Sequence, residues 1–213
     1  ATLLPNVPPQ AEAHFGVPAC GAILNTINVR LDADTVAYIL DHGQARVLLV
    51  DPQFVPLAAE AIERMEGPAP AVVEVADDHA GVHHLGEYPE YEELLASGDP
   101  AFNWIMPGDE WESIALNYTS GTTGRPKGVV YHHRGAYLNA MGQVLSWRMV
   151  LYPRYLTIVP LFHCNGWCHT WMMPAVGGTV VCCRDIAAKP IFDAIADERV
   201  THFGGAPIVL NTL

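Results

Sequence analysis

The chain has 213 residues, half of them apolar, and a formal net charge of −12. That is enough apolar material to bury a core in one domain or two small ones, while the acidic balance argues against a general nucleic-acid or anionic-membrane surface, since both select basic patches. No apolar run approaches the roughly 20 residues that span a bilayer. The opening ATLLPNVPPQ lacks a charged leader ahead of a long apolar segment, and the cysteines (Cys20, Cys164, Cys168, Cys182, Cys183) are odd in number, unlike a disulfide framework. These features predict a globular protein of a reducing, cytoplasmic compartment, with neither nucleic acid nor membrane as partner.

Along the chain, hydrophobic periodicity predicts a helix over Ala33 to His42 stopped by Gly43, a buried strand over Arg46 to Val50, a helix over Phe54 to Met65 and a strand over Ala71 to Val75. From Asp77 to Gly108 the composition turns acidic, and only Tyr91 to Ala96 suggests a short helix; this reads as a variable surface excursion in which His83, His84 and the nearby glutamates are solvated. Glu112 to Tyr118 reads as a short buried strand. Beyond it follow a strand over Val129 to His132, a helix over Gly135 to Met149, strands over Tyr155 to Val159 and Thr179 to Cys183, a helix over Pro190 to Glu198 and a last strand-to-helix step from Thr201 to Leu213. Strands and helices alternate, which is the rhythm of an α/β fold.

The most informative run is YTSGTTGRPKG, Tyr118 to Gly128. Gly121, Gly124 and Gly128 permit backbone angles that let successive amides turn toward one anion. Thr119, Ser120, Thr122 and Thr123 add hydroxyl donors, Pro126 stiffens the approach to Lys127, and Lys127 brings a charge that can follow a polyphosphate as its charge shifts during reaction. The chain has only one other lysine, Lys189. A solvated hairpin loop is the plain alternative. The Walker A pattern is absent, because Arg125 and Pro126 precede Lys127 and Gly128 follows it.

This loop resembles the phosphate loop of the adenylate-forming acyl-CoA synthetases, Ser-Gly-Thr-Thr-Gly-x-Pro-Lys-Gly. The likeness extends upstream through HFGVPACGAILNTINVRLDADTVAYILDHGQARVLLVD and downstream through VVYHHRGAYLNA, VPLFHCNGW, PAVGGTVV and VTHFGGAPIVLNTL. It implies part of the large domain of adenylate-forming enzymes, with mixed and parallel sheets flanked by helices. It also implies ATP, Mg2+ and CoA as cofactors and co-substrates, and a small carboxylic acid as substrate. Residues 1–213 would form the central part of that large N-terminal domain. The family's Tyr-Gly-x-Thr-Glu motif, its ribose-binding Asp and its small carboxy-terminal domain with the catalytic Lys find no match, so little or no ligase activity is expected of this chain by itself. Apolar surface left by such missing segments would be exposed, or covered in a homo-oligomer.

The segment Phe162 to His169, FHCNGWCH, admits several readings. Two cysteines and two histidines could hold a metal, although three residues between the cysteines is at the loose end of zinc spacing. Redox work by Cys164 and Cys168 lacks a cationic neighbour. The resemblance implies instead that His163 sits near the reacting carboxylate and acyl phosphate, and that Trp167 walls the acyl site and favours a short, medium-chain or small aromatic acid. Trp171 reads more simply as core packing. Gly204 and Gly205 of the GGAP run resemble a segment flanking the acyl and CoA channel rather than the family's adenine-binding motif. His132 and His133 read as strand-end residues. Two alternatives stay open beside the ligase reading: a non-catalytic phosphate-binding module, and a metal-binding protein centred on His163 to His169.

Overall fold

Short runs rich in Val, Leu, Ile and Ala become strands wherever flanking turns let both faces be covered, and a computed structural model of the protein, which describes residues 1–119, 124–211 and 213, shows nine of them among those residues. In chain order they are β1 (Thr2–Leu3), β2 (Leu24–Asn25), β3 (Val47–Val50), β4 (Ala71–Glu74), β5 (Ser113–Tyr118), β6 (Gly128–His132), β7 (Arg154–Thr157), β8 (Thr179–Cys182) and β9 (His202–Phe203). The helices are α1 (Pro8–Ala19), α2 (Ala33–His42), α3 (Val55–Glu63), α4 (Tyr91–Ala96), α5 (His133–Ser146), α6 (Cys164–Trp167), α7 (His169–Met172), α8 (Ala188–Asp197) and α9 (Pro207–Leu210). They assemble into three three-stranded sheets, ordered β1-β3-β4, β2-β5-β6 and β8-β7-β9. The first and third are parallel throughout; in the second, β5 runs parallel to β2 and antiparallel to β6. This is the α/β fold with mixed and parallel sheets flanked by helices that the sequence predicts.

The parallel strands are apolar on both faces because helices cover both. One side of the first sheet packs Leu3, Leu48 and Val50 against Val36, Ile39 and Leu40 of α2 and Ala58 and Ala61 of α3. The other side meets Val7 and Tyr91. In the third sheet Leu156, Ile158 and Val181 pack on Ile191 of α8. Tyr155 joins Ala140 of α5 and Met172 of α7, tying that sheet to the helices beside β5.

Three local departures from the sequence reading have physical causes. α1 escapes a periodicity search because its helix opens on consecutive prolines, contains Pro18 and shows no clean apolar stripe. α5 starts at His133 rather than Gly135, since His132 caps it: its Nδ1 accepts from the Gly135 N–H at 2.9 Å. The acidic excursion is anchored from beneath. Glu74, fully buried on β4, accepts backbone N–H bonds from Leu85, Glu87 and Tyr88 at 2.7–3.0 Å, and the Ile105 amide returns to Ala19 O of α1 at 2.8 Å. Within the excursion His83 pairs with Asp78 and His84 hydrogen-bonds Tyr88 O; both histidines are exposed, as the sequence predicts.

Candidate active site

β5 and β6 form a hairpin whose neck is closed by the Tyr118–Gly128 pair and by the Thr119 N–H donating to Lys127 O at 3.1 Å. The phosphate-loop sequence is therefore the connection between these two strands. Thr119, Gly124 and Lys127 are exposed at its neck and far arm; Ser120, Gly121, Thr122 and Thr123, which the sequence also assigns to phosphate, lie outside the described residues. The far arm rests on α2. Arg125 stacks over the Tyr38 ring, its guanidinium carbon 5.2 Å from the centroid, while Tyr118 and His42 share a 2.7 Å hydrogen bond. Partial burial pushes the Tyr118 phenol up to about 12, so it is neutral and available as a donor.

On the inner side of this hairpin a cavity of about 470 Å³ is bounded by Thr119 and Asn117 of the loop strand, Tyr131 of β6, Thr26 after β2, and Phe162, His163 and Cys164. Two of the sequence's separate expectations, a phosphate loop beginning at Thr119 and a carboxylate-side His163, thus share one wall system. A second hollow, about 750 Å³, lies on the outer side against Tyr38, His42, Arg64, Arg125 and Pro126.

His163 is exposed at the start of an unusual turn. Cys164, Asn165, Gly166, Trp167 and Cys168 all have positive φ, between 49° and 64°. The helical turn α6 is therefore left-handed, in a conformation costing L-residues about 1–2 kcal/mol each. Asn and Gly tolerate it best, and Asn165-Gly166 occupy its middle. At Gly166 a Cβ would stand 2.7 Å from Leu161 Cδ2. Compensation comes from a closed polar circuit. Asn165, fully buried, donates to Asn117 Oδ1 at 2.7 Å; Asn117 donates to Thr26 Oγ1 at 2.7 Å; Thr26 donates to Phe162 O at 3.3 Å. Asn6 adds a second brace, accepting from the Leu161 N–H at 2.8 Å while donating to Thr157 O and Val159 O.

The remaining predicted acyl residues are gathered elsewhere. Trp167, partly exposed, edges an aromatic cluster in which His169 stacks on Tyr155, centroids 4.4 Å apart, with Trp147 set edge-on to both. Gly204 abuts the same cluster: a Cβ there would lie 2.5 Å from Trp147 Cη2. Gly205 faces Ile158 and Val209. None of Trp167, Gly204 or Gly205 lines the cavity that holds His163. Trp171 is a packing residue, as the sequence suggests, with its indole N–H donating to His14 O at 2.8 Å.

The segment does not converge on a metal donor set: among the described residues no three His, Cys, Asp or Glu side chains gather around one point. Cys164 lies 3.8 Å from the His163 ring, His169 turns its Nδ1 to Gly166 O, and burial pushes the Cys168 thiol up, opposite to what a reactive thiolate needs. Sequence reasoning missed Thr26, Asn117 and Asn165. The Asn-Gly pair within HCNGW is a turn signal that points to the last of them.

Comparison with known proteins places the whole chain. The chain is 46% identical along its whole length to the acetate/butyrate–CoA ligase AAE7, peroxisomal, of Arabidopsis thaliana and 46% identical to the acetate–CoA ligase CCL3 of Humulus lupulus, covering 39% of each. It superposes on the N-terminal domain of FACL13 from Mycobacterium tuberculosis with a TM-score of 0.81 at 25% identity, over 99% of this chain and 50% of that one. The chain thus spans about two-fifths of the curated relatives it matches. These relatives correct the expected cytoplasmic location. AAE7, the Arabidopsis butyrate–CoA ligase AAE11 and a third Arabidopsis relative are peroxisomal by name, and an odd number of cysteines does not distinguish one intracellular compartment from another. The model of the AMP-binding enzyme family matches residues 1–213 without remainder, so the chain belongs to the AMP-binding enzymes.

Proposed function

We propose that the protein carrying this chain is an ATP-dependent acyl-CoA synthetase: it joins a carboxylate to the α-phosphorus of MgATP with loss of pyrophosphate, then passes the acyl group to the CoA thiol. The observation that carries the proposal is the cavity of about 470 Å³ that sets Thr119, at the root of the phosphate loop, beside His163. A carboxylate is a poor acyl donor because its leaving group would be oxide; an acyl adenylate leaves as a stabilised phosphate. In this reading residues Thr119 to Lys127 hold the β- and γ-phosphates, and the exposed Lys127 ammonium balances charge as pyrophosphate departs, so their contribution is positioning and electrostatics. His163, which lines the same cavity, orients the carboxylate.

The substrate in this reading is a short or medium-chain, or small aromatic, acid. Support comes from relatives named for acetate and butyrate. Residues 1–213 form part of a large N-terminal domain in this proposal. Because the matched relatives extend well beyond the shared region, the chain tested by itself is expected to be catalytically silent.

The test is acid-dependent ATP–pyrophosphate exchange by the protein that carries this chain, across acetate, butyrate, hexanoate and benzoate, followed by loss of free CoA thiol. Exchange with at least one acid, reduced at least a hundredfold by Lys127→Ala, supports the reading. MgATP binding without exchange for any acid would replace it with a phosphate-binding module.

A further inference from the structure

We infer that Asn165 is a positioning residue which, through Asn117, holds His163 in register with the phosphate loop; this rests on the ligase reading above. The circuit starts and ends on the segment that carries His163. Phe162 O, immediately before it, accepts from Thr26, and Asn165, two residues after it, donates to Asn117. The middle member, Asn117, lies on β5 two residues before Thr119, and both Asn117 and Thr119 line the cavity. Each of the three side chains is almost wholly buried.

A buried amide earns its place only when its polar atoms are satisfied, and each carboxamide here spends its donor on the next member of the circuit. On its far side Asn165 also meets the buried His14 imidazole. The Asn165–Asn117 bond is thus the turn's direct side-chain link to the phosphate strand. Among the described residues the His163 side chain makes no hydrogen bond to β5; Cys164 Sγ lies 3.8 Å from its ring. Its direction is set by the backbone of the left-handed turn, and the circuit fixes that backbone relative to Thr119.

The test measures ATP–pyrophosphate exchange in the protein carrying this chain, for wild type, Asn165→Gly, Asn117→Ser and the double variant, each with its melting temperature. Glycine is the informative replacement, because it adopts φ near +49° without strain and so removes only the carboxamide. Asn165→Gly is expected to raise KM for the acid tenfold or more while leaving KM for MgATP within twofold. Asn117→Ser, which breaks the same bond from the strand side, is expected to raise both. The double variant is expected to be no worse than the worse single one, as members of one interaction behave. An acid KM unchanged in Asn165→Gly, or single effects that multiply in the double variant, overturns the inference while leaving the ligase reading intact. If Asn165→Gly does not fold, an unchanged acid KM in Asn117→Ser overturns it equally. Absence of exchange in the wild type with every acid overturns the ligase reading and this inference together.

Discussion

Replacing Gly166 by alanine probes the left-handed turn most directly. The residue sits at φ +56°, where an alanine costs about 1–2 kcal/mol. Its new Cβ would stand 2.7 Å from Leu161 Cδ2, and Leu161 is 1% exposed, so the leucine can yield only by repacking its neighbours, at a further ~1–3 kcal/mol. Together these predict a loss of about 2–5 kcal/mol, which for a chain of this size lowers the melting temperature by about 4–20 °C. Thermal unfolding followed by circular dichroism reads this directly. Gly142→Ala is the control. Gly142 lies in α5 with no heavy atom within 4 Å of an added Cβ, so alanine there should stabilise by about 0.5–1 kcal/mol through helix propensity. Equal melting temperatures for Gly166→Ala and wild type would refute both the assigned hand of the turn and the closeness of Leu161.

Acid should destabilise the protein through His14, whose pKa is lowered to about 4, mainly by burial. The unfolded imidazole titrates near 6.5, so the unfolded state binds the extra proton first and stability falls as pH drops from about 7 toward 4, by about 2 kcal/mol at pH 5. Urea midpoints at pH 7.5 and pH 5 check this, and His14→Gln should flatten the difference. Glu74→Gln keeps the size of the side chain but removes the charge behind three backbone hydrogen bonds, with an expected cost of about 2–4 kcal/mol; amide exchange at Leu85, Glu87 and Tyr88 should accelerate before that of β3. His42→Ala removes the bond to Tyr118 and the edge contact between the rings. It should raise KM for MgATP several-fold with little change in KM for the acid, and an unchanged nucleotide KM would show that α2 does not support the loop.

Much of the fold was readable because its elements obey simple periods. α2 and α4 fall where the sequence places them, α2 with Asp32 capping Thr35 N–H at 2.8 Å, and β5 and β8 lie within a residue of the expected bounds. What stayed hidden depends on tertiary context. The two-residue strands Thr2–Leu3 and Leu24–Asn25 exist because β3 and β5 pair with them, and two residues carry no period. The composition of the phosphate loop is legible by itself, since hydroxyls and glycines without apolar neighbours have little else to do. The Thr26, Asn117 and Asn165 circuit is not, because polar residues 91 and 48 positions apart meet only after β2, β5 and the turn have packed. The position of Trp167 is not legible either: the left-handed turn sets it against the aromatic cluster and away from the cavity that His163 lines.

Strand β5 delivers three consecutive residues to three destinations: Asn117 to the turn, Tyr118 to α2, and Thr119 to the loop. Because alternate side chains of a strand face opposite ways, inserting or deleting one residue between Ser113 and Thr119 would exchange the first two destinations at once, turning a phenol toward Asn165 and a carboxamide toward His42. Point substitutions in β5 can be graded in their effects, but changes in its length cannot. The stretch from Asp77 to Gly108 is held instead at several separate points, by Glu74, by Tyr91 against the first sheet and by Ala19, none of them a residue that lines the cavity around His163.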